Sequence, residues 1–427
     1  MLANRGWRCL PYAAVAIFAV VAVGCGFGAA AEPAGPAALA KPTAAAPADL
    51  KARRREAAWR KRRVIMNNDG NDVFGLATDR QDIHEAFLEA RTAPLVGSQV
   101  DAIFYCTGVF NQYSHASDET ELQENGDKGV PTAAKALVAS GRDSLATVVE
   151  FAHRHGLEAW WSMRMNDTHD SSDETIFSAW KRAHPDWLMA RKGERMPYGG
   201  GRWSAVDYGR EEVREKVFRI VMDVARRYDV DGIELDFFRH PLYFKSQVRG
   251  EPVSREQCDA MTQLLARIRR GVDEVAEARG RPLLIAVRVM NAPRYARGIG
   301  LDVEAWLEKG LVDVLVAGGC YFHIEPWQTM VGLGHGHDVP VYACLSESRL
   351  PIEDLAVWRG GALEAWEAGV DGIYTFNLFD PGHRLFRELG DPSLLKTLPV
   401  DRRSPRGSPY WINFLKDGDT YGSLPAN

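Results

Sequence analysis

The chain has 427 residues, 46% of them hydrophobic and 26% charged, which is ample apolar material for one large domain. A net charge of −5 gives no reason to expect nucleic acid or an anionic membrane surface as a partner. Twelve Trp, 13 Tyr and 17 Phe supply a core and leave rings over for stacking.

The first residues read as an export signal, 1–25. Arg5 and Arg8 precede an apolar run, 12–23, that is too short for a comfortable membrane span. Two cleavage readings compete. Ala22-Val23-Gly24-Cys25 is similar to a bacterial lipobox, with Ala22 where Leu is expected, and would put a lipid on Cys25. Ala29-Ala30-Ala31 would suit an ordinary signal peptidase. The protein is therefore expected outside the cytoplasm, as a periplasmic or cell-surface lipoprotein or as a secreted protein. A lipid anchor would be its one tie to a membrane. Residues 26–60, Ala/Pro-rich through Leu50, read as a tether. Beyond the signal stand Cys106, Cys258, Cys320 and Cys344, with no metal-binding spacing among them. A Cys320–Cys344 disulfide is open to an exported protein, but spacing alone does not decide it.

From Arg63 onward one rhythm repeats: apolar strand, polar or aromatic loop, amphipathic helix. Strands are expected at 64–68, 102–107, 158–166, 232–237, 284–290, 314–318, 341–346 and 372–377, with helices at 211–228, 255–279, 302–309 and 352–368 between the later ones. Eight such units predict an α/β fold, a (β/α)8 TIM barrel over 61–392, with long loops after strands three and four. A doubly wound sheet is the alternative, but no Gly-rich phosphate turn follows the first strand. Residues 393–427 form a turn-rich extension expected to pack back on the barrel.

The barrel is organised around Val230-Asp231-Gly232-Ile233-Glu234-Leu235-Asp236-Phe237-Phe238-Arg239-His240-Pro241. Ile233, Leu235 and Phe237 fall on one face of this strand, Glu234 and Asp236 on the other. Two carboxylates cannot face an apolar helix layer without a large desolvation cost, so they must look into a polar cavity. By the same alternation Arg164 and Arg288 point inward, and a buried Arg requires an anion. The plain partners are Glu234 and Asp236; the sharper one is a substrate carboxylate or sulfate.

Several stretches together resemble the bacterial glycosyl-hydrolase-like family ten. Asp231-Gly232-Ile233-Glu234-Leu235-Asp236-Phe237-Phe238 with Pro241 is similar to its strand-four pattern. So are His184-Pro185-Asp186-Trp187, Asp207-Tyr208 leading into Glu211-Glu212-Val213-Arg214, and Ala159-Trp160-Trp161. The resemblance covers about residues 140–245. Glu234 stands where the family has His, and Phe237 replaces its second Asp. A weaker likeness links the same strand to family-18 glycoside hydrolases, but Phe238 occupies the place of their proton-donating Glu.

The resemblance implies a barrel glycosidase acting on a poly- or oligosaccharide, and such chemistry needs a carboxyl that gives a proton and a carboxylate that attacks or activates water. Asp236 is the candidate acid/base, Glu234 its tuning neighbour, and Glu347, closing strand seven, the candidate nucleophile. Asn68, Tyr105, Asn166, His240, His323 and Asn377, at or just past strand ends, join Arg164 and Arg288 as candidate substrate-binding residues. Trp187 and Trp203, in the Gly-rich loop with Tyr198, are candidate stacking platforms. For most of these a structural role is equally open. Asp167-Thr168-His169-Asp170 and His335-Gly336-His337 invite a metal reading, yet neither shows a third ligand at a convincing offset, so no metal or cofactor is assigned. A catalytically silent carbohydrate-binding barrel is the main alternative, and a lyase on the same barrel a third.

Overall fold

The computed structural model describes residues 47–318, 323–403 and 413–421. The export signal, Cys25, most of the tether and the Cys320 half of the proposed disulfide lie outside the described residues. Eight parallel strands close into a barrel: β1 (Val64–Asn68), β2 (Val100–Cys106), β3 (Glu158–Arg164), β4 (Gly232–Asp236), β5 (Leu284–Val289), β6 (Val314–Ala317), β7 (Val341–Ser346) and β8 (Gly372–Phe376). Each pairs with its neighbour in sequence, and β8 pairs back with β1. The alternation expected from the sequence is therefore realised at all eight positions. The fold is (β/α)8.

The helices wrap this barrel because each carries one apolar stripe. Glu211–Arg227 buries Val213, Val217, Ile220, Val221 and Val224, with acids in its first turn and arginines in its last, matching the helix dipole. Burying each such side chain contributes about 1.5–3 kcal/mol. Arg255–Arg279 starts in a capping box between Ser254 and Gln257 and ends at Gly280 in the left-handed region. Among the described residues no helix is long and apolar enough to cross a membrane.

Residues 47–58, composed like the tether, instead form a helix, α1 (Pro47–Ala58), that closes the N-terminal end of the barrel. Leu50, Ala57 and Ala58 are buried, and Arg54 pairs with Asp273 and Asp313. Arg62, 1% exposed, forks onto Glu158 at 2.7 and 3.1 Å while donating to the carbonyls of Ala57 and Ala58. The strand starts carry charge that an apolar plug could not satisfy, and these arginines supply its partners. In the C-terminal extension, Phe414 and Leu415 are buried, and the Phe414 carbonyl accepts from Gln247.

Candidate active site

Strand register builds the site in layers. Trp160 of β3 pairs with Gly232 of β4, Ser162 with Glu234, and Arg164 with Asp236; across β4, Glu234 pairs with Ala286 and Asp236 with Arg288 of β5. The lowest layer is filled by the Trp160 ring, stacked on Phe104 at 4.6 Å. Gly232 is required beneath it, since a Cβ there would stand 2.3 Å from the ring. In the next layer Glu234 is fully buried and accepts from the Ser162 hydroxyl and, at 3.0 Å, from Tyr374 of β8. Its other oxygen, Oε1, has no hydrogen-bond partner. Burial, and then the charge of Asp236, push the Glu234 carboxyl up to about 7.

In the top layer two arginines flank one aspartate. Asp236, 1% exposed, accepts from Arg288 Nη2 at 2.6 Å and from the backbone N–H groups of Phe238 and Arg239 at 2.8 and 3.1 Å. Arg288 lies over the Phe376 ring at 4.0 Å. Arg164 donates to Asp167 at 3.1 Å and lies within electrostatic reach of Asp69 and Asp236 as well. Glu234, Asp236, Arg164 and Arg288 thus converge inside the barrel, while Phe237 faces outward against Trp306.

Above this floor, at the C-terminal mouth, lies a polar cleft. It is lined by Asp69 and Asn71 after β1, Phe74, Gly108, Val109, Gln123 and Asp127, Arg164, His169 and Arg239, and Asn377 after β8. Asp69 is held by Arg91. His169 Nδ1 stands 2.7 Å from Asp167, and its Nε2 stands 2.8 Å from Arg239 Nη2, which fixes a neutral ring with the proton on Nδ1. A wider cavity of about 520 Å³ lies at the opposite end, against α1 and the strand starts, where barrels carry stability rather than catalysis.

The third ligand that the Asp167/His169 motif lacked in sequence comes from the next loop. Ligand atoms of Asp167, His169 and His240 lie within 4.8 Å of one another. However, Arg164 faces the Asp167 carboxylate and Arg239 faces His169 Nε2. A cation here would have to displace a guanidinium group and sit among positive charges.

Of the remaining predicted residues, Asn377 alone lines the cleft, in the left-handed region and bonded to Ser348 at 3.0 Å. Asn68 and Tyr105 both donate to the buried Asp72, at 2.7 and 3.0 Å, within a closed network. Asn166 pins two loops through Val206 and Leu242. His240 is buried, and its Nδ1 accepts from the Thr168 N–H at 3.0 Å. His323 sits on Asn291 and Trp327, its pKa lowered by burial to about 3.

The expected stacking platforms point elsewhere. Trp187 stacks on His184 at 3.8 Å, Trp203 donates to the Ser171 carbonyl and meets Phe177, and the Tyr198 ring covers Gly250. Phe74 is the aromatic ring of the cleft. Glu347 continues the β7 ladder one residue past Ser346, bonding the Phe376 carbonyl. Cys344 of β7 meets Arg288 inside the barrel, so Glu347 falls on the opposite parity. Its half-buried carboxyl is raised by desolvation and then by Glu353, not by the central cluster. Asp69, Phe74 and Arg239 went unremarked as site residues. The one available signal was the polar run Asn67-Asn68-Asp69-Gly70 at the end of β1.

Residues 127–260 match the family model Glycosyl hydrolase-like 10. The matched segment contains Arg164, Asp167, Glu234, Asp236 and Arg239. Glycosyl hydrolase YngK of Bacillus subtilis is 27% identical over 120 residues, 27% of this chain and 22% of that protein. The 1,4-alpha-glucan branching enzyme GlgB of Corynebacterium diphtheriae is 26% identical over 226 residues, 47% of this chain and 28% of that protein. The chain thus spans under a third of the length of these two relatives. The glycoside hydrolase domain of PgaB (BpsB) from Bordetella bronchiseptica superposes with a TM-score of 0.50 at 11% identity, over 78% of this chain and 99% of that one. That likeness is one of fold.

Proposed function

We propose that the protein is an exported glycoside hydrolase that cleaves a poly- or oligosaccharide by carboxylate acid/base catalysis. The observation that carries this reading is the Arg164–Asp236–Arg288 layer below a polar cleft, within the segment that matches the glycosyl hydrolase-like family. Asp236 is the catalytic carboxylate of the floor, with Arg288 and Glu234 as positioning residues that set its charge. Asp69, which lines the cleft and shares Arg164 with Asp236, takes the second place expected for Glu347. The decisive measurement is turnover of a glycan panel by the purified chain. Asp236→Asn and Asp69→Asn should each lower turnover by roughly 10²–10⁴-fold, and Glu347→Gln should leave it within a few-fold. Full turnover in Asp236→Asn would remove that residue from the mechanism.

One observation favours a catalytically silent carbohydrate-binding barrel instead. Glu234 and Asp236 are 0% and 1% exposed, with Phe238 in the place of a proton donor. Tight glycan binding without turnover across the panel would select that reading.

A further inference from the structure

We propose that the mouth cleft is a subsite for an acidic sugar, whose ring lies on Phe74 and whose carboxylate or sulfate meets Arg164 and Arg239. The inference rests on the carbohydrate reading above and adds the charge of the substrate.

Phe74 is half-buried and held from both backbone and ring. Its backbone bridges Thr132 and bonds Asn71, and its ring covers Gly126 so closely that a Cβ there would lie 2.4 Å away. One ring surface is thereby fixed, as a stacking platform requires. Around it, Asn71, Gln123 and Asn377 offer side-chain amides suited to sugar hydroxyls.

Two guanidinium groups also line the cleft. Arg164 is only 7% exposed, and an anion meeting it there exchanges little screening water for a charge-assisted, two-pronged contact. Arg239 reaches the cleft from the loop after β4, its Nη2 directed at the neutral Nε2 of His169. The carboxylates facing the same space leave room for a further anion. Asp69 is committed to Arg91 and the Asn71 amide, Asp167 is shared by Arg164 and His169, Asp236 is held by Arg288, and Asp127 stands on the exposed rim.

The test is calorimetric titration of the full chain with three probes at low salt: an oligogalacturonate, its carboxyl-reduced neutral counterpart, and a sulfated galactan oligosaccharide. At least one acidic probe should bind tenfold or more tightly than the neutral one, and the tighter of the two identifies carboxylate or sulfate as the recognised group. Arg239→Gln and Arg164→Gln should reduce the preference to under threefold. Phe74→Ala should weaken acidic and neutral probes alike by several-fold. Arg164→Gln disturbs a buried pair, so the half-buried Arg239→Gln, checked by its melting temperature, keeps the test decisive. Equal affinity for acidic and neutral probes, no binding of either acidic probe, or a preference surviving both arginine variants would overturn the proposal. A charge preference without turnover would sink the hydrolase reading alone, and turnover of neutral glycans without a charge preference would sink this one alone.

Discussion

Glu234 and Asp236 lie two residues apart on one strand yet ask for opposite treatment. Glu234 has an ordinary value of 4.5 and is pushed up to about 7 by burial. Between those values the folded protein holds the proton more tightly than the unfolded chain does. Stability therefore falls as pH rises through that window, and the full penalty applies above about 7. Glu234→Gln keeps the shape and escapes the penalty. The melting temperature of the variant relative to wild type should climb from pH 4.5 to pH 7 and level off above; a difference flat with pH would refute the raised value. Asp236 instead anchors Arg288, which is fully buried. Asp236→Asn strands that guanidinium and should cost about 3–5 kcal/mol, so its turnover must be measured well below its melting point. Adding Arg288→Met removes the stranded charge, and the double variant should melt higher than Asp236→Asn alone. An equal or lower melting temperature would mean that the pair is not what holds this layer together.

At the scale of elements, the long segment between β3 and the helix Glu211–Arg227 is held by polar contacts rather than by a core of its own. Lys181, 0% exposed, donates to Asp170 at 2.5 Å, and Ser204 donates to the same carboxylate from the far limb of the loop. Burial raises the Asp170 carboxyl, and Lys181 opposes that rise. Lys181→Met would leave a buried acid with a single hydroxyl donor, at about 3–5 kcal/mol. Limited proteolysis should then cut within 167–209 much faster than in wild type, and an unchanged cleavage rate would show that other contacts hold the loop. Such pairs were invisible in the sequence, where Lys181 and Asp170 look like ordinary surface charges. The strands were legible because period-two alternation is a local property, and it placed Arg164, Glu234, Asp236 and Arg288 inside the barrel. Glu347 fails by one step of the same rule: the inward set of β7 runs through Cys344, and the next residue past Ser346 belongs to the other face. Phe74 and Arg239 owe their positions to loop geometry, which no periodicity encodes.

At the scale of the whole molecule, function and stability occupy opposite ends of one barrel. The carboxylates and the cleft belong to the C-terminal mouth, while α1, Arg54 and Arg62 close the N-terminal end. Composition hid this, because the Ala-rich run that reads as a tether continues into α1, and only the ion pairs with Glu158, Asp273 and Asp313 reveal that the helix is part of the domain. Arg62→Met should therefore leave Glu158 at a sealed strand start without its forked partner, at a cost of about 3 kcal/mol. A chain beginning at residue 61 should lose that cap and expose the surface now covered by Leu50, Ala57 and Ala58. Both variants should melt several degrees lower than wild type, yet below their melting points they should turn over or bind a glycan as wild type does, since neither change reaches the mouth. Asp69→Asn should show the converse: turnover lost, with the melting temperature far less affected because Asp69 lies at the cleft and not under the barrel. If Arg62→Met or the shortened chain lost glycan turnover while still folded, the two ends would be coupled through the barrel interior, and the Trp160–Phe104 stack between them would be the place to look.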